Sequence, residues 1–147
     1  MRNQIKNGII RLRIYEVKIM LLGESLEDYL ETILILSENE KVRSIDVAHM
    51  MSVSKPSVNK AMNVLKEKGY IEQQPYGSIY LTEAGREIAN KVYDRHKNIK
   101  AFLMIVLGVE DETAEKDACR IEHIISEQTF QSMVTLTRQT MNKEEAA

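Results

Sequence analysis

Residues 52–69, SVSKPSVNKAMNVLKEKG, restrict the fold more than any other stretch of the chain. Ser54 suits a helix N-cap, and Pro56 falls in the first turn, where its missing N–H costs no hydrogen bond. Gly69 stands where helix C-termini favour glycine. The apolar residues between these ends recur at helical spacing: Val58, Ala61, Met62 and Leu65. The stretch predicts an amphipathic helix with both ends marked.

The neighbouring segments predict a known order of elements. A helix through SLEDYLETILILSE, with Ser25 as its N-cap, precedes a short helix through SIDVAHMM, which Ser44 caps. Downstream, YIEQQPYGSIYL holds two β-prone runs around Pro75, Tyr76 and Gly77, which is typical of a hairpin. Helix, short helix, tight turn, helix and hairpin is the order of a winged helix-turn-helix.

The rest of the chain favours helices. Thr82 begins a long helix that ends near Gly108, another starts at about Asp111, and a last one starts at Ser126 and ends in a polar tail, NKEEAA. We therefore predict a mainly α fold, in which a winged helix-turn-helix precedes an all-helical domain. The predicted divisions are an N-terminal extension of unknown role (1–23), a DNA-binding domain (24–82) and a helical domain (83–147). The first 22 residues fit a strand, an irregular arm or an upstream start artefact.

Composition limits the class of protein. With 44% apolar and 29% charged residues, the chain has a globular composition. One cysteine cannot form an internal disulfide, and charges interrupt the apolar residues of the basic N-terminal segment, so we expect no signal peptide. No stretch approaches the ~20 apolar residues of a membrane span. These features predict a cytoplasmic protein without a membrane partner.

The net charge of −2 hides an uneven distribution. Residues 41–100 hold eleven Lys and Arg against six Asp and Glu, whereas residues 101–147 hold four against nine. A basic middle beside an acidic end suits a polyanion-binding module joined to a second function, and chance clustering on solvated helix faces explains it equally well.

The basic middle has a candidate DNA-reading surface. A reading helix buries one face and presents short polar and cationic side chains to a major groove about 12 Å wide. Such residues lie at or near the N-terminus of the third helix: Ser54, Pro56, Ser57, Asn59 and Lys60. The alternative is a three-helix bundle with a polar surface, and a hairpin tip without Lys or Arg weakens the case for a DNA-contacting wing.

Potential metal ligands lie on three predicted helices. Cys119, Glu122 and His123 are spaced i, i+3 and i+4, so on one helix their side chains converge. Asp28 and Glu31 border the apolar face of the first helix, and His96 shares the apolar stripe of the long helix. A buried small cysteine, an exposed acidic face and a hydrogen-bonded core histidine are the alternatives. The residues alone leave both interpretations open.

Taken together, five motifs resemble a known family. SLEDYLETI, SVSKPSVNKAM, YGSIYLTEAGREIA, RHKNIKAFL and DACRIEHIIS occur in the order and spacing of the metal-dependent repressors that include the diphtheria toxin repressor and the manganese transport regulators. The resemblance spans roughly residues 24–140. It implies a winged helix-turn-helix and a helical metal-binding and dimerisation domain, in a short form without the SH3-like third domain.

The resemblance also implies a role for individual residues. It makes six of them metal ligands: Asp28, Glu31, His96, Cys119, Glu122 and His123. It implies a homodimer that binds a palindromic double-stranded operator when a divalent transition metal is bound, and that represses metal-uptake or homeostasis genes. Asp28 matches the manganese branch, whereas Cys119 matches the iron branch. The expected ion is therefore Fe²⁺ or Mn²⁺, with Zn²⁺ or Co²⁺ as alternatives.

Two departures and two rival functions accompany this prediction. Lys100 stands where the iron branch's second site has a glutamate, and Glu115 stands where that site has a histidine. A cation at position 100 disfavours that second site. A metalloenzyme is disfavoured because the sequence has no HExxH motif, nucleophile elbow or Gly-rich phosphate loop. A metal-independent winged-helix repressor that senses an organic ligand remains the main alternative.

Overall fold

The computed structural model describes residues 24–39 and 41–147 of the chain. The predictions for the extension, residues 1–23, lie outside this part. The described elements are α1 (Glu24–Ser37), α2 (Ser44–Met51), α3 (Lys55–Glu67), β1 (Ile71–Gln73), β2 (Ile79–Leu81), α4 (Glu83–Ile105), α5 (Asp111–Ile121) and α6 (Glu127–Glu145). The mainly α fold with a winged helix-turn-helix is confirmed. The chain divides into two compact units, up to Ala89 and from Asn90 onwards.

The reading helix of the N-terminal unit forms as its sequence predicts. The Ser54 hydroxyl accepts a hydrogen bond from the Ser57 N–H, Pro56 lies in the first turn, and Gly69 follows the helix at a φ of 77°. Its apolar face is buried: Val58, Ala61, Met62 and Leu65. Because this face packs into the core, the opposite face of α3 remains available to a partner.

The hairpin of the N-terminal unit consists of β1 and β2. The strands pair antiparallel, with Gln73 opposite Ile79, and the Gly77 N–H donates to Gln74 O across the turn at 2.8 Å. Val42 adds an isolated bridge to Ile79, and the Gln73 amide donates to the Ser44 hydroxyl at 3.2 Å. These contacts fix the hairpin against the segment that begins α2.

Two predicted caps are wrong. Ser25 lies inside α1, which begins at Glu24. Arg43, not Ser44, is the N-cap of α2, and its N–H donates to the Asp46 carboxylate at 2.9 Å. Ser44 is instead the first helical residue, with its hydroxyl turned to the hairpin. Ser44 therefore makes a long-range contact with Gln73, which the local sequence does not predict.

The C-terminal unit contains most of α4 together with α5 and α6. Its core is built on Ile99 and Leu103 of α4, Ala114 and Ala118 of α5, and Phe130 of α6. Small residues on α5 allow close packing against the larger side chains. Ser126 caps α6 as predicted, and α6 continues through Glu145, so the polar tail NKEEAA is largely helical. None of the helices in the described part is both long and apolar enough to cross a membrane.

Candidate metal centre and nucleic-acid interface

Three predicted ligands of the C-terminal unit converge. His96 comes from α4, Cys119 from α5, and Glu122 is the C-cap of α5. One donor atom from each, a ring nitrogen, the thiol sulfur and a carboxylate oxygen, lies within 4.8 Å of the other two. His96 and Glu122 are buried, whereas Cys119 is exposed. An imidazole, a thiol and a carboxylate at this spacing can share one transition-metal ion.

Glu122 lies between two histidines. Its Oε2 is 2.8 Å from His96 Nδ1, and its Oε1 is 3.3 Å from His123 Nε2. The Glu122 side chain is fully buried, and within the described ranges its Oε1 makes no hydrogen bond. A buried carboxylate oxygen without a hydrogen bond is costly unless a cation compensates it. This atom therefore fits a metal ligand.

The predicted single helical face for Cys119, Glu122 and His123 is wrong in one respect. Helix α5 ends at Ile121, so Cys119 is helical, Glu122 is the cap and His123 lies in the following turn. Glu122 still has helical dihedrals, and its N–H donates to Ala118 O at 3.0 Å. It keeps its position one turn after Cys119, whereas His123 no longer follows the spacing rule.

Arg95 explains the end of α5, and sequence reasoning missed it. Its guanidinium donates to Glu122 O at 3.1 Å and to Ile125 O at 2.8 Å, and it pairs with the Glu127 carboxylate at 2.9 Å. The same group lies over the Phe130 ring, 4.9 Å from its centroid. Arg95 thus fixes the turn that carries Glu122 and His123. Its position directly before His96 was the only sequence signal.

A charged network continues outward from His96. His96 Nε2 is 2.8 Å from Glu115 Oε1, and Lys100 Nζ is 2.7 Å from Glu115 Oε2 and 3.0 Å from Asp111 Oδ1. The hydrogen bond from Lys100 is the main reason that the Glu115 pKa lies below its usual value. Hydrogen bonds to Glu115 and then Asp111 raise the pKa of Lys100. Glu115 is therefore an ionised acceptor for the His96 ring.

The other two predicted ligands belong to the N-terminal unit. Asp28 and Glu31 lie one turn apart on α1, where Asp28 is half-buried and Glu31 is buried. Tyr29, between them, is also buried, and burial raises its pKa. These positions agree with the carboxylate pair at the edge of an apolar face that the sequence predicts. Their role as ligands stays a prediction.

All five predicted DNA-contacting residues are exposed at the start of α3. Ser54 and Ser57 are joined by a 2.9 Å contact between their hydroxyls, within the N-cap. Pro56, Asn59 and Lys60 follow on the exposed side of the helix. The exposed face of α3 thus offers a short amide and an ammonium group near a capped N-terminus, which favours contact with phosphate.

The hairpin, α3 and the residues that begin α2 line an open cleft that sequence reasoning missed. It has a volume of about 550 Å³, and its polar lining includes Arg43, Lys55, Asn59, Asn63, Lys66 and Tyr76. Lys55, Asn59, Asn63 and Lys66 recur at i, i+4, i+8 and i+11, so a helical projection of the exposed face would have found them. Tyr76 is fully exposed at the tip of the hairpin with a φ of 56°. The cationic lining partly offsets the lack of Lys and Arg at the tip.

Comparison with known proteins covers nearly the whole described chain. Residues 21–79 match the model of the N-terminal DNA-binding domain of iron-dependent repressors, and residues 82–143 match the model of their metal-binding and dimerisation domain. An uncharacterised HTH-type transcriptional regulator of Methanocaldococcus jannaschii is 36% identical over 76% of this chain and 91% of its own length. The transcriptional regulator MntR of Salmonella typhimurium is 34% identical, over 79% of this chain and 74% of its own length.

Solved structures show the same fold. A manganese-dependent transcriptional repressor in complex with manganese superposes with a TM-score of 0.71 at 25% identity, over 76% of this chain and 52% of its own. The manganese regulator SloR gives a TM-score of 0.69 at 29% identity, over 77% of this chain and 53% of its own. The chain thus spans about half the length of these two proteins.

The fold, the convergent donors and these matches define a metal-dependent, DNA-binding transcriptional regulator, not an enzyme. The chain belongs to the family of iron-dependent repressors, whose two domain models it matches in sequence order. A divalent metal ion as cofactor, contact with DNA and dimerisation follow from membership of this family. The resemblance in the sequence motifs is therefore confirmed.

Proposed function

We propose that this chain represses metal-uptake or homeostasis genes by binding a palindromic operator as a homodimer, in the cytoplasm, when a divalent ion is held by Asp28, Glu31, His96, Cys119, Glu122 and His123. The observation that carries the proposal is the convergence of His96, Cys119 and Glu122 within 4.8 Å. Asp28 and Glu31 enter from the sequence resemblance. The chain's membership of the repressor family supports the direction of regulation.

The donors fit a divalent transition metal. A bound ion would supply the positive charge that the thiolate and the buried Glu122 carboxylate require. His96 and Glu122 are held by hydrogen bonds and burial, so they are positioned before any ligand binds. Carboxylates favour Mn²⁺, whereas the Cys119 thiolate favours softer ions, so we propose Fe²⁺ or Mn²⁺, with Zn²⁺ or Co²⁺ as competitors.

The proposed DNA-binding residues of this chain fall into two chemical groups, those suited to base edges and those suited to phosphates. Asn59 offers an amide suited to adenine, and Lys60 an ammonium suited to guanine or phosphate. We add Lys55 and Lys66 of the cleft as phosphate contacts, because their charges lie beside Asn59 on the exposed face of α3. Phosphate contacts position the reading helix, and base contacts select the sequence. In a dimer, two such helices read half-sites one helical turn apart, about 34–36 Å.

Fluorescence anisotropy with a palindromic operator from a metal-uptake gene tests the proposal. We expect Mn²⁺ or Fe²⁺ to raise operator affinity by about 5–150-fold, the usual range for such coupling, and a chelator to reverse the effect. Glu122→Ala should remove the response to metal, whereas Glu112→Ala, at an exposed carboxylate of α5, should keep it. Operator binding that a chelator leaves unchanged would favour the repressor that senses an organic ligand.

A further inference from the structure

We propose that Lys100 is a positioning residue for the metal centre, which acts through Glu115 on the orientation of the His96 ring. The inference rests on the proposed function and deepens it, because it concerns how one ligand is made ready to bind. Lys100 and Glu115 are absent from the predicted ligand set. Both belong to the same compact unit as His96, Cys119 and Glu122.

The three side chains form a continuous series of short contacts. Lys100 Nζ lies 2.7 Å from Glu115 Oε2, and the other oxygen, Oε1, lies 2.8 Å from His96 Nε2. Each Glu115 oxygen therefore has its own partner, and a rotation of the carboxylate would lengthen one of these two contacts. Lys100 also lies 3.0 Å from Asp111, one turn before Glu115 on α5.

The contact with Asp111 allows Lys100 to restrict the Glu115 side chain. The Glu115 side chain is half exposed, and a single exposed ion pair fixes a side chain only weakly. An ammonium group that bridges Asp111 and Glu115 is held at two points, so it restricts Glu115 more than a single pair would.

An oriented Glu115 selects the useful tautomer of His96. A neutral imidazole has one N–H and one nitrogen lone pair, and only the lone pair can bind a metal. A carboxylate can only accept, so Glu115 at Nε2 and Glu122 at Nδ1, each 2.8 Å away, compete for the one proton of a neutral His96 ring. A Glu115 that Lys100 holds in place favours the tautomer with the proton on Nε2. Nδ1, beside Glu122, would then offer its lone pair to an ion that His96 and Glu122 share. Partners of this kind orient a ligating histidine and raise its basicity.

Titration of the full chain with Co²⁺, followed by visible absorption, tests this role. We expect Glu115→Gln to weaken Co²⁺ binding by about 10–100-fold, and Lys100→Met by about 10-fold, because loss of an outer-shell partner has effects of this size. Lys100→Arg should restore most of the affinity, since guanidinium also pairs with two carboxylate oxygens. Lys116→Met is the matched control, because it removes the α5 pair with Glu112 and leaves His96 untouched.

A second readout needs no metal. In the metal-free chain, the ring ¹⁵N signals of His96 should change in Lys100→Met and Glu115→Gln and stay as in the wild type in Lys116→Met. A structural role that left the ring unaffected would not move them. If the wild type binds Co²⁺ and both variants keep its affinity and its ring signals, this inference alone is overturned. If the wild type does not bind Co²⁺, the proposed function is overturned together with it.

Discussion

Replacement of Glu122 by glutamine separates metal binding from folding. Gln keeps the size of the side chain and one carbonyl oxygen, but it carries no charge. In the wild type, the carboxylate is fully buried between His96 and His123, and its Oε1 makes no hydrogen bond within the described ranges. A buried group of this kind costs about 1–3 kcal/mol when nothing compensates it. Without metal, Glu122→Gln should therefore unfold at a temperature equal to or above that of the wild type.

With metal, the expected order reverses, and the wild type should unfold at a higher temperature than Glu122→Gln. At a metal concentration 100 times the wild-type Kd, binding stabilises the folded chain by about 2.7 kcal/mol. Loss of a direct ligand should weaken binding by at least the ~100-fold that an outer-shell partner can cost. The stabilisation of Glu122→Gln at the same concentration then falls to about 0.4 kcal/mol. At roughly 2–4 °C per kcal/mol for a chain of this size, the rise in Tm with metal should shrink by roughly 5–9 °C.

Differential scanning fluorimetry with and without Mn²⁺ or Co²⁺ measures the Tm of the variant and of the wild type in both conditions. Glu112→Gln, an exposed carboxylate of α5, should keep the full rise in Tm. The reasoning is refuted if Glu122→Gln shows the same rise in Tm as the wild type. A variant that unfolds well below the metal-free wild type would contradict the first expectation and show that Glu122 also serves folding.

Three further outcomes are expected. Lys66→Ala should weaken operator binding and reduce the slope of log affinity against log salt by about 0.9, as for one lost phosphate contact; an unchanged slope in salt-dependent anisotropy would remove Lys66 from the interface. Gly85→Ala should lower the free energy of unfolding by about 1–3 kcal/mol in urea, because its Cβ would lie 1.9 Å from Tyr70 O; a change within error would contradict the close approach. Contacts with Arg43 lower the Asp46 pKa below 3.8, so the stability that Asp46 contributes is present above that pH and lost as pH falls through the lower folded value. Urea unfolding of Asp46→Asn should show a deficit at pH 7 that shrinks toward pH 3, and a deficit that grows on acidification would contradict the assignment.

The reading helix could be predicted from sequence because its signals are local. Ser54, Pro56 and Gly69 mark its ends by backbone chemistry that acts within a few residues, and the structure has each of them in that role. Ser44 and Ser25 failed as caps because the same residue type can instead face a distant partner, as the Ser44 hydroxyl faces Gln73, or lie within the helix. Capping signals are therefore most informative where several agree.

The candidate metal centre could be predicted from the sequence only in part. Spacing found Cys119 and Glu122, because the C-cap residue keeps helical dihedrals, but it assumed that α5 continues through His123. No glycine or proline marks the end of α5 at Ile121. Arg95 holds the turn that follows, because its guanidinium donates hydrogen bonds to two backbone carbonyls of that turn. A contact between residues so far apart in sequence cannot be predicted from the local pattern. For the same reason the contact between Glu115 and His96 was not foreseen.

Neighbouring residues of α4 divide the task of holding Glu122. Arg95 binds its backbone carbonyl at 3.1 Å, and His96 binds its side-chain carboxylate at 2.8 Å. The main chain and the side chain of Glu122 are therefore both fixed from one helix. Cys119 differs, since it is exposed and lies on α5. The imidazole and the carboxylate are fixed and suit most divalent transition metals. In the proposed centre we therefore expect the softness of the donor at position 119 to have the largest influence on which ion binds.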